Sequence, residues 1–198
     1  MIEDAISDVF VLMFNFSHLH PEDEVDAILN KFKGYEDLTF ELIKPEKLAK
    51  KPVFTSRLEY LEETDFPFCL PSWPIMSNKM LKALLDIHPF PHQPFPVVME
   101  DYSGQRSNYD YSVIQLKEHY DGLDELNSII ETDKDLKWFI TGIKKLVLKQ
   151  PPKMGYPSIF RLYQHPGRLM VSNHTRKVLI EKGINGIDYV PIDEYTFP

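Results

Sequence analysis

The chain has 198 residues, 43% of them hydrophobic and 26% charged, which fits a globular protein of one ordinary domain with a sizeable core. Its single cysteine, Cys69, excludes an internal disulfide framework and an all-cysteine metal site, and suits a reducing compartment. The formal net charge of −8 lies in residues 1–43, where ten acids face two bases, while the remainder carries 20 of each; a field of this sign repels nucleic acid and would steer a basic partner, and without a partner in view it equally serves to keep the surface soluble.

The opening MIEDAISDVFVLMFNF has acids where a secretory signal carries Lys or Arg, and its apolar run at residues 9–14 is too short to cross a bilayer. The expectation is a cytoplasmic chain without a membrane partner. Residues 9–16 read as a buried strand, although Ile2, Ala5, Ile6 and Val9 also fit one helical face. A helix is predicted over 21–33. Pro21 stands at its first position, Val25, Ile28, Leu29 and Phe32 fall at i, i+3, i+4 and i+7, and Gly34 stops it. Glu22, Asp23 and Glu24 suit the first turn of such a helix through its dipole, so local structure explains them. With Asp26 they also form a candidate partner-binding patch.

LTFELI at 38–43 alternates like a strand, and EKLAKK reads as polar surface. FPFCLPSWP at 66–74 carries three prolines and is predicted to run extended against a core, with Cys69 a structural thiol between Phe68 and Leu70.

There follows an element that occurs twice, 95 positions apart: WPIMSNKMLKALL at 73–85 and RLMVSNHTRKVLI at 168–180. Aligned without gaps, Ser77 matches Ser172, Asn78 Asn173, Lys82 Lys177 and Leu84 Leu179. Each copy reads as a strand running into a helix, with Ser77 and Ser172 as the N-caps. Any strand-Ser-helix junction shares this look, so the repeat speaks to structure before chemistry.

The first of these helices is predicted to end near Ile87, because HPFPHQPFP follows; this is a stiff extended stretch, read as an internal crossover in preference to a ligand for an aromatic groove. DYSGQRSNYDY at 101–111 mixes Tyr, Ser, Gly, Asn and Arg as binding loops do, and as long polar turns also do; Asp101, Tyr102, Arg106 and Tyr109 are its candidate contact residues. YSVIQL at 111–116, KKLVLK at 144–149 and SIFRLY at 158–163 read as strands, and DGLDELNSII as a helical turn or short helix. After the second copy, Gly183 and Gly186 punctuate, and Ile187, Tyr189 and Ile192 make a terminal extended segment.

No motif carries catalytic chemistry. Phosphate loops, HExxH, EF-hand spacing and the nucleophile elbow are missing. His88 and His92 would align ligands only on a helix, which Pro89 and Pro91 forbid, and His18 and His20 have no third ligand in reach. Catalytic, cofactor and metal residues are therefore expected to be none. The aromatic residues do not interleave with Lys and Arg, which argues against a nucleic-acid partner.

The run LMVSNHTRKVLIEKGINGIDYVPIDEY resembles the C-terminal signature of the eleventh family of immunity proteins from bacterial polymorphic toxin and contact-inhibition systems. The likeness rests on the strand ending at Ser172, the helix with Leu179, the turn Gly183-Ile184-Asn185-Gly186 and the strand at 187–193 with Pro191. WPIMSNKMLKALL, YSVIQL and SIFRLY fit it in order, so it covers residues 66–196. The resemblance implies a non-enzymatic protein that binds and neutralises a cognate toxin, and brings no catalytic residues. The partner is expected to be that toxin, basic if the acid excess takes part in contact. An alternative is an enzyme or small-ligand protein with dispersed site residues, its anion held near the two Ser-capped helix N-termini.

The expected fold is α+β in a mixed α/β sense. It is one globular domain with two similar strand-Ser-cap-helix units: an acidic N-terminal portion at 1–60 packed on the rest, and an α/β immunity-protein-like domain at 61–198.

Overall fold

A computed structural model of the chain describes residues 8–15, 27–29, 51–57, 61, 64–70, 73–136, 139–151, 153 and 155–198. Twelve strands and two helices follow one another among them: β1 (Val9–Phe14), β2 (Ala27–Leu29), β3 (Val53–Thr55), β4 (Cys69–Leu70), β5 (Ile75–Ser77), α1 (Asn78–Ile87), β6 (His92–Glu100), β7 (Tyr111–Leu116), β8 (Ile129–Thr132), β9 (Ile140–Lys145), β10 (Ile159–Leu162), β11 (His165–Ser172), α2 (Asn173–Glu181) and β12 (Ile187–Pro191). The protein is thus α+β, as expected, and mostly sheet among the described residues.

A four-stranded antiparallel sheet has the order β10-β11-β1-β12, so the first strand of the chain sits between two of the last. Its position follows from composition. Every second residue of β1 is apolar on each face, and both faces are covered. Phe10 and Leu12 join a core with Met76, Met80, Leu84, Ile114, Leu169 and Leu179, whereas Val9 and Val11 join a second one with Ile140, Ile143, Phe160 and Met170. A six-stranded mixed sheet runs β4-β2-β3-β6-β7-β5, and β8 pairs with β9 in a separate hairpin.

Three expectations meet corrections. Of the predicted helix over 21–33, Ala27–Leu29 is strand β2, held antiparallel to β3 and parallel to β4; the other residues, including Glu22, Asp23, Glu24 and Asp26, lie outside the described residues, as does LTFELI. Ala-Ile-Leu is also a strand-length apolar run, and pairing on both sides outweighs the helical spacing.

The proline-rich crossover at 88–96 runs from residue 92 into β6, the longest strand among the described residues. Ile114 of β7 sends its N–H to Pro74 O, away from β6, so Pro94 opposite it is spared from donating to the ladder; Pro96 opposite Ser112 has the same parity. On the far side β3 first meets β6 at Val98, beyond both prolines. The missing N–H groups therefore fall where no strand among the described residues needs them. In DGLDELNSII the expected helical turn forms, with Ser128 N–H donating to Asp124 O at 3.0 Å and the Asp124 carboxylate accepting the N–H groups of Leu126 and Asn127, and Ile129–Thr132 then runs into β8. KKLVLK also shifts, since β9 occupies Ile140–Lys145 and ends near where that strand was expected to begin.

Other elements fall where the sequence puts them. Strand β7 is buried along its whole length, β10 covers SIFRLY, α1 stops at Ile87, and Phe66 and Trp73 are buried. Helix α2 ends in a Schellman motif: Gly183 at φ 63° donates to Ile180 O and Ile184 donates to Leu179 O, which satisfies carbonyls the helix leaves free.

Gly186, at φ 82°, has a second constraint. A Cβ there would stand 1.9 Å from Thr64 Oγ1. Gly104 has φ 85° with no atom within 4 Å of its would-be Cβ. Gly186→Ala is expected to cost about 3 kcal/mol, from left-handed strain plus overpacking, and Gly104→Ala about 1 kcal/mol from strain alone. Equilibrium urea unfolding of the two variants checks the difference; equal losses would show that the contact with Thr64 relaxes freely.

Candidate functional site

The two Ser caps form as expected. Ser77 Oγ accepts the Met80 N–H at 3.0 Å and Ser172 Oγ accepts the Thr175 N–H at 3.2 Å. Their backbone angles nearly coincide, at φ −66°, ψ 155° and φ −68°, ψ 158°. The neighbouring strands match too. Ser77 is opposite Tyr111 and Ser172 opposite Val9 in antiparallel register, and the next N–H in each copy, from Asn78 and Asn173, goes to the carbonyl of Asp110 and Asp8 at 2.9 Å. The sequence repeat is therefore a repeat of hydrogen bonds as well as of residues.

The copies differ in what lies against the cap. Asp65, buried, accepts a hydrogen bond from Ser77 Oγ–H on Oδ1, and on Oδ2 the Asn185 N–H at 3.0 Å, with Lys79 Nζ at 3.4 Å. Its main chain adds Ser77 N–H to Asp65 O at 2.9 Å and Asp65 N–H to Asn185 O at 3.0 Å. The start of α1 thus already faces a carboxylate supplied by the chain itself, and the Asn173 and Thr175 N–H groups of α2 are spent on Asp8 and Ser172. A site for an outside anion at these termini has those donors already engaged.

The loop at 101–109 joins β6 to β7 and is locally braced. Asp101 Oδ1 accepts from Ser103 Oγ–H at 2.7 Å and from the N–H groups of Ser103 and Gln105 at 2.8 Å, and these bonds hold its carboxyl below the usual range, the Ser103 hydroxyl contributing most. Gln105 O accepts the Asp101 N–H, Gly104 donates back to Asp101 O, and Ser107 donates to Met99 O. The carboxylate of Asp101 is turned into its own loop. Tyr102 and Tyr109, at 67% and 50% exposure, and Arg106 stand outward from it.

A cleft that sequence reasoning missed opens where the ends of the two large sheets meet. Residues 88–91 form one lip, residues 155–158 the other, and Leu116, Ile159 and Phe160 the floor; about 430 Å³ is enclosed. Tyr120 and Tyr156 stand in its wall and Glu118 lines it as well. Tyr120 is perpendicular to Phe160 at 5.2 Å between centroids, and Tyr156 lies nearly parallel to Phe160 at 6.2 Å. The lining comes from three separated stretches of chain, so no local motif marked it.

Behind the four-stranded sheet lies a buried polar group, also missed. His165 Nε2 is 3.1 Å from Tyr195 Oη, which also receives Arg168 Nε–H at 3.3 Å. With Arg168 Nε–H on one lone pair, Oη keeps a second lone pair and its own proton, so it can either accept from or donate to His165 Nε2. Burial, then the charges of Arg168 and Arg161, push the imidazole down to about 4. Phe197 packs on the His165 ring, and Arg168 lies over Phe197 at 5.8 Å, so the group fastens the C-terminal tail to β11. Arg161 and Arg168, cations inside an otherwise apolar hairpin, are the signal that could have found it. Among the described residues no set of three His, Cys, Asp or Glu is placed to hold a metal, and no helix is long and apolar enough to cross a membrane.

A family model described as "Immunity protein family (Imm11)" matches residues 15–194. The chain belongs to this family. The match spans most of the chain and extends the resemblance seen at 66–196 upstream to the end of β1. Among curated proteins none matches the chain. As an Imm11 protein it has a general role in toxin immunity.

Two predictions come from this geometry. Ser172→Ala is expected to cost about 1 kcal/mol, the usual loss of a cap. Ser77→Ala should cost about 2–4 kcal/mol, because Asp65 Oδ1 also loses a buried donor; urea titration that found the two equal would remove Asp65 from the account. As for pH, the native state keeps His165 neutral down to about 4 while the unfolded chain binds a proton from about 6.5 downward. Stability should be full above pH 6.5 and fall by about 3 kcal/mol on acidification to about pH 4. Unfolding curves at several pH values should show this slope flattened in His165→Gln; an unchanged slope would assign it to other groups.

Proposed function

We propose that the protein is a non-enzymatic bacterial immunity protein that binds a cognate protein toxin in the cytoplasm and blocks it by occlusion. The observation that carries this reading is the Imm11 match over residues 15–194. The braced loop supports it. Tyrosines held outward on a pre-ordered turn lose little conformational entropy on binding, and this favours tight capture of a folded partner.

Two surfaces are proposed to meet the toxin. One is the loop, through Tyr102, Arg106 and Tyr109, with Asp101 holding its shape. The other is the acidic patch of Glu22, Asp23, Glu24 and Asp26, whose charge would speed encounter with a basic enzyme.

The test is growth rescue: the toxin-like C-terminal domain encoded beside this protein is expressed with and without it, and survival and co-purification are followed. Rescue with a stable complex is the expected outcome, and death regardless of the protein would sink the reading. Within a rescued pair, Tyr102→Ala with Tyr109→Ala should weaken binding about 10- to 100-fold, because exposed aromatic anchors carry a large share of interface energy. Neutralising the four acids should instead slow association and reduce its salt dependence.

A further inference from the structure

The cleft between the sheet ends has a chemistry of its own, and its occupant is argued here on the proposed toxin-binding role. We propose that it receives one cationic side chain, arginine or lysine, presented by the partner protein as an anchor.

Four observations carry this. Glu118 lines the cleft, and neither Lys nor Arg does so among the described residues. Tyr120, Tyr156 and Phe160 gather within 5.2–6.2 Å of one another in its wall and floor, and aromatic faces attract cations through their quadrupoles. Leu116 and Ile159, both buried, supply apolar floor on which an alkyl stem can lie while its charged head stays near the carboxylate and solvent. The fourth concerns pre-organisation. Pro89 and Pro91 stiffen one lip and Pro157 the other, and Tyr156 Oη–H donates to Lys149 O at 3.1 Å, so the cleft is formed before a ligand arrives.

An apolar anchor would need no carboxylate beside it, and an anionic one would meet Glu118 with repulsion. The chain's net charge of −8 favours a basic partner in the same sense. A volume of about 430 Å³ admits a long side chain together with part of the backbone that presents it.

The probes are N-acetyl-arginine methylamide and its uncharged counterpart N-acetyl-norleucine methylamide, titrated into the full chain and followed by heteronuclear NMR. The arginine probe should perturb the amides of Leu116, Tyr120 and Ile159 with a dissociation constant on the order of millimolar, as befits a single anchor. The norleucine probe should bind several-fold more weakly, and Glu118→Gln, a change at an exposed position, should abolish the difference. Equal or stronger norleucine binding, scattered perturbations, or no perturbation at all would overturn the proposal.

In the toxin complex, Glu118→Gln and Tyr156→Ala should each raise the dissociation constant about 10-fold, mainly through faster dissociation. Unchanged affinity in both would remove the cleft from the interface and overturn the anchor. If the wild-type chain rescues no toxin while the arginine probe still binds in a Glu118-dependent way, the immunity reading fails and the cation-binding chemistry of the cleft stands.

Discussion

The buried carboxylate of Asp65 is the tie on which the arrangement of the two strand-helix units depends. An ionised group this deep is tolerable only when its lone pairs are filled, and here the donors come from both units: Ser77 from the first, and Asn185 from the turn that follows the second helix. The same turn is held by Gly186 against Thr64, next to Asp65 in sequence, and its Gly183 carbonyl accepts from Lys79. Lys182 then pairs with Asp86 along α1. The four-residue turn 183–186, which follows the second helix and meets Thr64, Asp65 and Lys79, therefore joins the two units over the shared core of Met76, Met80, Leu84, Leu169 and Leu179. Removing the Ser77 donor would leave Asp65 Oδ1 short of a buried hydrogen bond, which is why this junction is dearer than an ordinary cap.

What the sequence made legible follows from this division between local and non-local causes. Ser77, Ser172 and Gly183 act within a few residues of themselves, so their roles as caps and stop could be read directly. Strand β7 and strand β10 are apolar runs of the right length with turn residues around them, and these too were readable. Strand β2 was not, since its three residues satisfy a helical face and a strand equally and the choice is made by partners at Thr55 and Leu70. Nor was β6. Whether a proline is tolerated in a strand depends on the parity of its partner, and no single strand carries that information.

The candidate site divides the same way. The loop at 101–109 announced itself by composition, and its internal bracing is the work of one Asx residue four positions from the last group it binds. The cleft draws on residues near 90, 118 and 157, and becomes a site only when β7 and β10 end side by side. His165 was passed over because a lone histidine in a strand is ordinary. Its lowered pKa comes first from burial and then from the charges of Arg168 and Arg161, and its contact with Tyr195 joins residues 30 positions apart.

On the proposed role, charge and shape would then act at different stages of capture. The acid excess belongs to residues 1–43, while the rest of the chain is balanced. A negative field orients an approaching basic protein over a Debye length of roughly 8 Å at physiological salt, and so acts on the rate of encounter. It holds the complex weakly, because exposed charges are screened. A cleft of fixed shape contributes nothing at a distance, but once filled it keeps water out and lengthens the lifetime of contact. An inhibitor that must silence a lethal enzyme needs both fast arrival and slow release. Assigning them to separate features would let the anchoring cleft change with each toxin while the steering charge stays as it is.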